Sequence, residues 1–201
     1  MTTDRASRLR SIVIVLVLAL PATRGPAEAA PGSPGLLDLS GHRVEPLPVS
    51  AATVTVFVLA RTDCPISNRY APELKRLHAR FAPSGISFWL VYADPAERPE
   101  AIRQHLGDFD YGFDALRDPE HALVRLSGAG VTPEAAVFVG TGEAASLVYR
   151  GRIDDRYVDF GRARATPTTH DLEDVLAALA AGRPVAPRTT KAIGCAIAPL
   201  P

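Results

Sequence analysis

The sequence predicts an α/β fold, a three-layer sandwich in which helices cover a central mixed sheet. Two apolar stretches, 53–60 and 86–93, are typical of buried strands, and the segment between them has helical periodicity. A strand, a helix and a second strand in succession are typical of two parallel strands joined by a crossover helix. Two further strands, 135–139 and 146–149, are separated by a glycine-containing turn, which favours an antiparallel pair. The length of 201 residues suffices for one good hydrophobic core.

The elements in the first half of the chain include a hairpin and a long helix. Residues 36–47 are expected to form a short hairpin with Ser40 and Gly41 at its turn. A helix is predicted over 66–82, and Pro72 within it removes one backbone hydrogen bond and should kink it. Its buried face is predicted by four side chains at helical spacing: Leu74, Leu77, His78 and Phe81.

The second half of the chain predicts shorter elements. A helix over 97–106 is followed by a short strand over 113–116 and a short helix over 120–126. Thr168 is the expected N-cap of a last helix that runs to residue 181, with Asp171 in the capping-box position. The inner face of the helix over 97–106 is predicted to comprise Ala101, Ile102 and Leu106. The inner face of the last helix is predicted to comprise Leu172, Val175, Leu176 and Leu179.

The N-terminal segment has the features of a signal peptide. Basic residues precede the apolar run 12–20, and Ala27-Glu28-Ala29 offers a cleavage site between small residues. The apolar run is shorter than the roughly 20 residues of a spanning helix, so no stable membrane span is expected after cleavage. Residues 1–29 are therefore predicted to direct export to the periplasm or the extracellular space, where two cysteines are able to pair.

The rest of the chain divides into three parts. Residues 30–35 are expected to be a flexible lead-in, residues 36–181 a single domain, and residues 182–201 a proline-rich tail that carries Cys195. Basic and acidic residues balance at 22 each. This balance gives no indication of a nucleic-acid partner.

Cys64 stands where the first strand turns into the first helix. Unpaired backbone N–H groups and the positive end of the helix dipole favour thiolate over thiol at such a position. Since thiolate is the reactive form of cysteine, this turn is the candidate reactive site. Its charged neighbours act in opposite directions, because Arg61 and Arg69 would lower the pKa of the thiol whereas an inward Asp63 would raise it.

Four motifs at suitable spacing carry a family resemblance: Asp38 to Val44, the Cys64 turn, Val131 to Pro133, and Val148 to Ile153. Together they resemble the thioredoxin-like superfamily. The nearest branch is the redoxins, that is, the alkyl hydroperoxide reductase / thiol-specific antioxidant and TlpA-like proteins, in an exported subgroup. The resemblance covers residues 36–181.

The resemblance implies a thioredoxin-like fold and places Thr132 and Pro133 at the site. In this superfamily a cis proline immediately before the third core strand faces the catalytic cysteine and offers backbone for pairing with a substrate chain. A cis bond between Thr132 and Pro133 is therefore implied, although only about 5–6% of X-Pro bonds in folded proteins are cis. Pro133 would shape the site, and Thr132 would offer backbone contacts.

The active-site stretch departs from the family at two positions. Thioredoxins have a second cysteine three residues after the first, where this chain has Ser67, so a local dithiol–disulfide cycle cannot form. Peroxiredoxins have a threonine three residues before the reactive cysteine, where this chain has Arg61, and Thr62 lies one residue out of register. The candidate substrate-binding residues are Arg61, Thr62, Ser67 and Arg152. Arg152 belongs to a charged cluster with Asp154, Asp155 and Arg156, for which the alternative is a solvated loop with local ion pairs.

Cys195 is the only other cysteine and the internal candidate for a resolving thiol. A mixed disulfide or a sulfenic acid at Cys64 needs a second thiol to resolve it. The tail has the length to reach, and Gly194 eases close approach. Two alternatives remain open at this point: a permanent disulfide between Cys64 and Cys195 that ties down the tail, or two independent thiols.

The expected function is that of an exported thiol-dependent oxidoreductase of the redoxin type, with Cys64 as nucleophile. It would act by thiol–disulfide exchange or by peroxide reduction, on a peroxide, a small thiol or a protein disulfide partner, with an external thiol as reductant. No cofactor or metal is predicted, since no Cys/His spacing matches a zinc site and no glycine-rich phosphate loop is present. The alternative is a copper-handling or non-catalytic partner-binding module on the same fold, because soft thiolates suit Cu(I).

Overall fold

The computed structural model describes residues 35–47 and 53–200. The predicted signal peptide, 1–29, and all but the last residue of the predicted lead-in, 30–35, lie outside the described residues. Within the two described ranges, no helix is long and apolar enough to cross a membrane.

The described ranges contain twelve strands: β1 (Leu36–Leu37), β2 (Arg43–Val44), β3 (Thr53–Ala60), β4 (Ile86–Tyr92), β5 (Ala115–Arg117), β6 (Val131–Thr132), β7 (Glu134–Gly140), β8 (Ser146–Gly151), β9 (Tyr157–Asp159), β10 (Arg162–Ala163), β11 (Arg188–Thr189) and β12 (Cys195–Ala196). Eight of them form one sheet in the order β11-β8-β7-β3-β4-β5-β1-β2. β4 runs parallel to both β3 and β5, whereas β7 runs antiparallel to β3 and β8. The predicted central mixed sheet is confirmed.

Five helices are present in the same ranges: α1 (Pro65–Arg69), α2 (Ala71–Phe81), α3 (Pro99–Asp108), α4 (Ala122–Ser127) and α5 (Asp171–Ala180). Short 3-10 turns cover Ala82–Ser84 and Gly142–Ala144. Buried side chains of α1, α2, α3 and α5 join the core on one face of the sheet, and those of α4 and β1 join the core on the other. The sheet therefore lies between two covering layers, which confirms the three-layer sandwich.

β3 contributes to both cores because alternate side chains of a strand point to opposite faces. Val56 and Val58 are fully buried in the core that α2 and α5 cover, whereas Phe57 and Leu59 are fully buried in the core on the α4 side. The strand ends at Ala60. A strand that is packed on both faces thus leads directly into the turn that carries Cys64.

The helix predicted over 66–82 is confirmed, and it is broken at Tyr70. Pro72 has no N–H to donate to the Asn68 carbonyl, so the helical ladder is interrupted as the sequence predicted. The predicted inner face is confirmed, since Leu74, Leu77 and Phe81 are buried and His78 is partly buried. The break separates a short helix that begins after Cys64 from the longer helix that packs on the sheet.

The inner face of α3 differs from the prediction at one position. Ala101 is exposed, and His105 is buried beside Ile102. A histidine is expected on a polar face, but His105 has hydrogen-bond partners at both ring nitrogens. Burial of a polar ring is tolerated when its donors and acceptors are paired.

The start of α5 also differs from the prediction. The helix begins at Asp171, with His170 as the N-cap residue, so the prediction that Thr168 caps it is wrong. The Thr168 hydroxyl donates instead to a carboxylate oxygen of Asp155. The predicted inner face is confirmed for Leu172, Val175 and Leu176, which are buried, while Leu179 is partly buried.

Three short features were not predicted, because two-residue and three-residue strands are too short for periodicity to show. β9 and β10 form a small hairpin after β8. In the tail, β11 pairs in parallel with β8, and β12 pairs antiparallel with β6. The tail that carries Cys195 is therefore held against the domain at two places.

Candidate active site

Cys64 is the N-cap residue of α1 and is 1% exposed. Its sulfur accepts a hydrogen bond from the backbone N–H of Ser67 at 3.5 Å, and its thiol donates to the Thr132 carbonyl at 3.1 Å. The predicted position at the strand-to-helix turn is confirmed. The helix backbone thus supplies a donor that stabilises the thiolate form of Cys64.

Cys195 lies in β12 directly opposite Thr132 of β6. Ile193 and Cys195 pack against the buried cluster that contains Cys64, and both cysteines are free thiols. The bond between Thr132 and Pro133 is cis, as the family resemblance implied. The structure therefore brings together five of the residues that the sequence singled out: Cys64, Ser67, Thr132, Pro133 and Cys195.

The two thiols differ in acidity. Burial raises the pKa of Cys64, but donation from the Cys195 thiol and from Ser67 brings that pKa below its ordinary value. Burial raises the pKa of Cys195 to about 12, and donation of its proton to Cys64 acts in the same direction. The Ser67 hydroxyl is buried and has no hydrogen-bond partner among the described residues, so it is free to turn toward a thiolate. Cys64 is therefore the thiol that ionises first.

The charged neighbours of Cys64 contribute less than the sequence suggested. Nε of Arg61 lies 2.7 Å from Oδ1 of Asp63 and 3.8 Å from Oδ2 of Asp94, so the two carboxylates share its charge. Asp63 is largely exposed and faces Arg61 rather than the thiol. The lowered pKa of Cys64 comes from hydrogen-bond donors to its sulfur, which overcome the effect of burial.

The Thr62 peptide, two residues before Cys64, is held on both sides. Its N–H donates to Oε1 of Glu97 at 2.7 Å, and its carbonyl accepts from Nδ2 of Asn68 at 3.0 Å. Burial raises the pKa of Glu97, although the hydrogen bond from Thr62 opposes that shift. The turn is thus fastened both to the loop after β4 and to α1. In these contacts Thr62 acts through its backbone.

His105 extends this clamp into the core. Its Nε2 lies 2.8 Å from Oδ1 of Asn68, and its Nδ1 lies 2.8 Å from the Tyr92 hydroxyl. Because Asn68 donates to Thr62 through its amide nitrogen, its oxygen must accept, which assigns the ring proton to Nε2 and makes Nδ1 the acceptor. Burial lowers the pKa of His105 and so favours the neutral ring that this chain of hydrogen bonds requires.

Sequence reasoning missed the four side chains of this clamp: Asn68, Tyr92, Glu97 and His105. His105 did leave a signal, since it follows Ile102 by three residues and so falls on the apolar face of α3. Glu97 left no such signal, because nothing in the local sequence pattern shows that its carboxylate reaches the turn that follows β3.

Replacing His105 with leucine is expected to slow alkylation of Cys64 at neutral pH several-fold and to raise its apparent pKa. The reason is that Asn68 and Tyr92 lose their partner and the Thr62 peptide loosens. Leaving these buried groups unpaired should also lower the free energy of unfolding by about 1–3 kcal/mol. The measurement is the pH profile of Cys64 alkylation beside a denaturant titration.

The matched control is His78→Leu, because His78 also lies on the inner face of a helix but packs by its ring against Phe88 and Phe113. It should leave the Cys64 profile unchanged. His105→Gln should restore the profile, since the glutamine NH2 group is able to donate to Asn68 and its carbonyl oxygen to accept from Tyr92. Equal profiles for His105→Leu and the control would show that the clamp stabilises the fold without tuning Cys64.

Arg152 is fastened to the start of α5. Its Nε lies 2.8 Å from Oδ2 of Asp171, and its Nη2 donates to the Thr169 hydroxyl at 3.2 Å. The partner of Arg152 is 19 residues away and not one of the local partners that the alternative interpretation predicted. A substrate-binding role for Arg152 stays a prediction. The following Asp154 and Asp155 are 2% and 5% exposed, so the solvated-loop interpretation is wrong for them.

Asp154 has a structural partner near the site. The Tyr70 hydroxyl, at the break between α1 and α2, donates to Oδ1 of Asp154 at 2.5 Å. Burial and the neighbouring carboxylate both raise the pKa of Tyr70, so it remains a donor at neutral pH. This bond ties the short helix that follows Cys64 to the segment after β8.

One group of metal-ligating residue types lies outside the site, where ligand atoms of Glu73, His170 and Glu173 fall within 4.8 Å of one another. Arg76 pairs with both of these carboxylates, and Arg80 pairs with Glu173. The arginines balance the acidic charge, so the group is an ion-pair network that joins α2 to α5.

Comparisons with known proteins bear on the fold. No protein-family model and no curated protein matches the sequence. An uncharacterised conserved protein from Geobacillus kaustophilus is similar in structure, with a TM-score of 0.69 and 25% identity over 92% of this chain and 99% of that one. A hypothetical protein from Sinorhizobium meliloti has a TM-score of 0.63 and 21% identity over 85% of this chain and 94% of that one.

A third similar structure names the fold. It is a thioredoxin-like protein from Aeropyrum pernix, with a TM-score of 0.52 and 16% identity over 73% of this chain and 89% of that one. The predicted thioredoxin-like fold is confirmed, with its mixed sheet between helical layers. Identities this low establish the fold, and the chemistry has to be argued from the residues of the site.

Proposed function

We propose that this protein is an exported thiol–disulfide oxidoreductase in which Cys64 is the nucleophile and Cys195 the resolving thiol. The observation that carries the proposal is the position of β12, which sets Cys195 beside Cys64 with a much higher pKa. A hydrogen-bonded thiolate next to a second thiol is the arrangement that two-step exchange requires. Export directed by residues 1–29 would place it where disulfides persist.

In the reductive direction, the Cys64 thiolate attacks one sulfur of a substrate disulfide. The substrate S–S bond breaks, Cys64 forms a mixed disulfide with one half, and the other half leaves as a thiolate that takes up a proton. The Ser67 N–H and the Cys195 thiol hold the attacking thiolate before this step.

Cys195 completes the reaction. Its thiolate attacks the Cys64 sulfur, releases the second half of the substrate as a thiol and leaves a Cys64–Cys195 disulfide, so two electrons pass to the substrate. Cys195 becomes more acidic at this stage, because a sulfur in a mixed disulfide carries no charge and one cause of its raised pKa disappears. An external dithiol then reduces the internal disulfide and restores both thiols.

Disulfide exchange is favoured over peroxide reduction by the surroundings of Arg61. This residue occupies the position of the peroxiredoxin threonine, and its guanidinium is paired with Asp63. A hydroxyl in register to orient a peroxide is therefore replaced by an ion pair. The same two thiols would still resolve a sulfenic acid at Cys64, with release of water, so a peroxide remains the second substrate to test.

Copper binding is the second candidate function, favoured by the meeting of two cysteines that lie far apart in the sequence. Thiolates are the ligands that Cu(I) prefers. One equivalent of copper retained through gel filtration by the reduced protein, and lost from Cys64→Ser, would support this function. Failure to retain copper would leave thiol exchange as the chemistry of the pair.

The decisive experiment is site-resolved alkylation of the reduced wild-type protein across pH. Cys64 is expected to react with an apparent pKa below the ordinary thiol value of about 8.5, and Cys195 only at much higher pH. Mass spectrometry of the two cysteine peptides separates the two reactions. Cys195 reacting first, or Cys64 resisting alkylation at every pH even in a chain that ends after Thr190, would contradict the proposal.

A further inference from the structure

The tail occupies a strand-pairing position next to Cys64. β12 runs antiparallel to β6, with Cys195 opposite Thr132 and Ala196 opposite Val131. The Ile197 N–H extends this pairing with a hydrogen bond to the Gly130 carbonyl at 3.0 Å. An extended peptide that binds a protein through an exposed strand makes contacts of this kind. Here the chain itself supplies the peptide.

The pairing requires a glycine immediately before the cysteine. A Cβ atom on Gly194 would lie 2.2 Å from the Thr132 carbonyl oxygen and 2.7 Å from the Thr132 carbonyl carbon. Both are backbone atoms, so a clash at this distance cannot be relieved by moving the end of a side chain. Any side chain at this position must therefore push β12 away from β6.

The tail in this position restricts access to the nucleophile. Cys64 is 1% exposed while Ile193 and Cys195 pack against its cluster. An attacking sulfur has to approach its target in line with the bond that breaks, so a substrate disulfide needs room at the Cys64 sulfur. A polypeptide substrate cannot occupy the β6 edge until β12 has left it.

The segment before β12 is better anchored than β12 itself. β11 pairs with β8, and the Thr190 N–H and hydroxyl bond to the Arg150 carbonyl at 2.9 Å and to the Tyr149 hydroxyl at 2.7 Å. β12 comprises only two residues, of which Ala196 is exposed. Release of β12 therefore leaves Cys195 on a short tether that starts at Thr190.

We propose that β12 is an intramolecular occupant of a polypeptide-binding groove and that a partner polypeptide enters by exchange with it. The partner binds along β6 in the same antiparallel direction, with glycine immediately before its reactive cysteine. This inference rests on the proposed function and names the substrate class of the same site. The partner's cysteine then takes the place of Cys195 beside Cys64.

The exchange fits the two chemical steps. The Cys64 thiolate attacks the disulfide of the bound partner, forms a mixed disulfide with the partner's cysteine and releases the other half of that disulfide as a thiolate. Return of β12 to β6 brings Cys195 to the Cys64 sulfur. Its attack releases the partner as a thiol, and the returning strand also takes over the backbone pairing that held the partner.

The test uses Gly194→Ala in a Cys195→Ser background, so that Cys64 is the single thiol. The matched control is Lys191→Ala, an exposed position in the same tail. The probes are a small aromatic disulfide and two nine-residue peptides. The peptides differ only in the residue before the cysteine, which is glycine in one and alanine in the other. In each peptide the cysteine forms an activated disulfide with an aromatic thiol. Release of the aromatic thiol reports each single-turnover rate. A second variant ends the chain after Thr190, which keeps β11.

Gly194→Ala and the shortened chain are expected to react with the Gly-Cys peptide at least about tenfold faster than the control, because the open fraction of the site increases. The Ala-Cys peptide should react several-fold more slowly than the Gly-Cys peptide. Equal peptide rates in all variants, or equal rates for the two peptides, would overturn the inference. A Cys64 that fails to react even with the small disulfide would instead overturn the proposed function, so the two failures are distinguishable.

Discussion

Replacing Cys64 with serine is expected to abolish disulfide exchange, with a loss of at least about a thousandfold in the rate of reduction of a model disulfide. A serine hydroxyl is not ionised at neutral pH, so the attacking thiolate is lost. The hydroxyl is still able to donate to the Thr132 carbonyl, as the Cys64 thiol does at 3.1 Å. The fold should therefore remain, with a change in the free energy of unfolding within about 1 kcal/mol.

The measurement is the initial rate of disulfide reduction with an excess of dithiol, next to a denaturant titration of the same sample. Ser67→Ala is the matched control, because it changes a buried neighbour and keeps the backbone N–H that donates to the Cys64 sulfur. It should retain most of the rate, lowered only by loss of the hydroxyl donor. Activity that survives in Cys64→Ser would assign the chemistry to another group.

The long elements of the fold could be predicted because their patterns extend over many residues. β3 spans Thr53–Ala60, the bounds that the apolar stretch predicted, and α2 buries Leu74 and Leu77 as its spacing required. β12 comprises only two residues, and its pairing with β6 depends on a contact between distant segments. Such pairing leaves no periodicity in either segment. The tail could therefore be predicted to carry Cys195 but not to form a strand.

The residues of the site likewise fall into those that the sequence predicted and those that it did not. Cys64 could be predicted because the turn and the following helix are local patterns, and Pro133 because the threonine–proline pair contributes to the family resemblance. The clamp on Thr62 could not, because it joins Glu97, Asn68 and His105 from three separate elements. The preference of Cys64 for thiolate could be predicted from its place at the start of a helix, whereas the opposed charges of Arg61, Arg69 and Asp63 left the direction of their effect open. Donation from the Cys195 thiol depends on the pairing of β12 with β6 and becomes visible only in the fold.

The second prediction with a large effect concerns Cys195→Ser, which should separate the two chemical steps. Attack by Cys64 on a substrate disulfide should persist, because its thiolate and the Ser67 donor remain. Turnover at about 10 μM external thiol should fall roughly a hundredfold, since a tethered thiol has an effective concentration in the millimolar range. The mixed disulfide at Cys64 should accumulate, and mass spectrometry of the quenched reaction detects it as a substrate adduct.

Cys195→Ser also distinguishes the three relations between the cysteines that the sequence left open. A permanent disulfide would make the wild-type protein more stable than the variant by about 2–5 kcal/mol and would leave no free Cys64 to react. Two independent thiols would give the variant a normal turnover and no more adduct than the wild type. Only a resolving role for Cys195 predicts three results together for the variant: an intact first step, a trapped adduct, and restoration of turnover by millimolar external thiol. Because β12 sets Cys195 opposite Thr132 beside Cys64, the structure favours this third pattern.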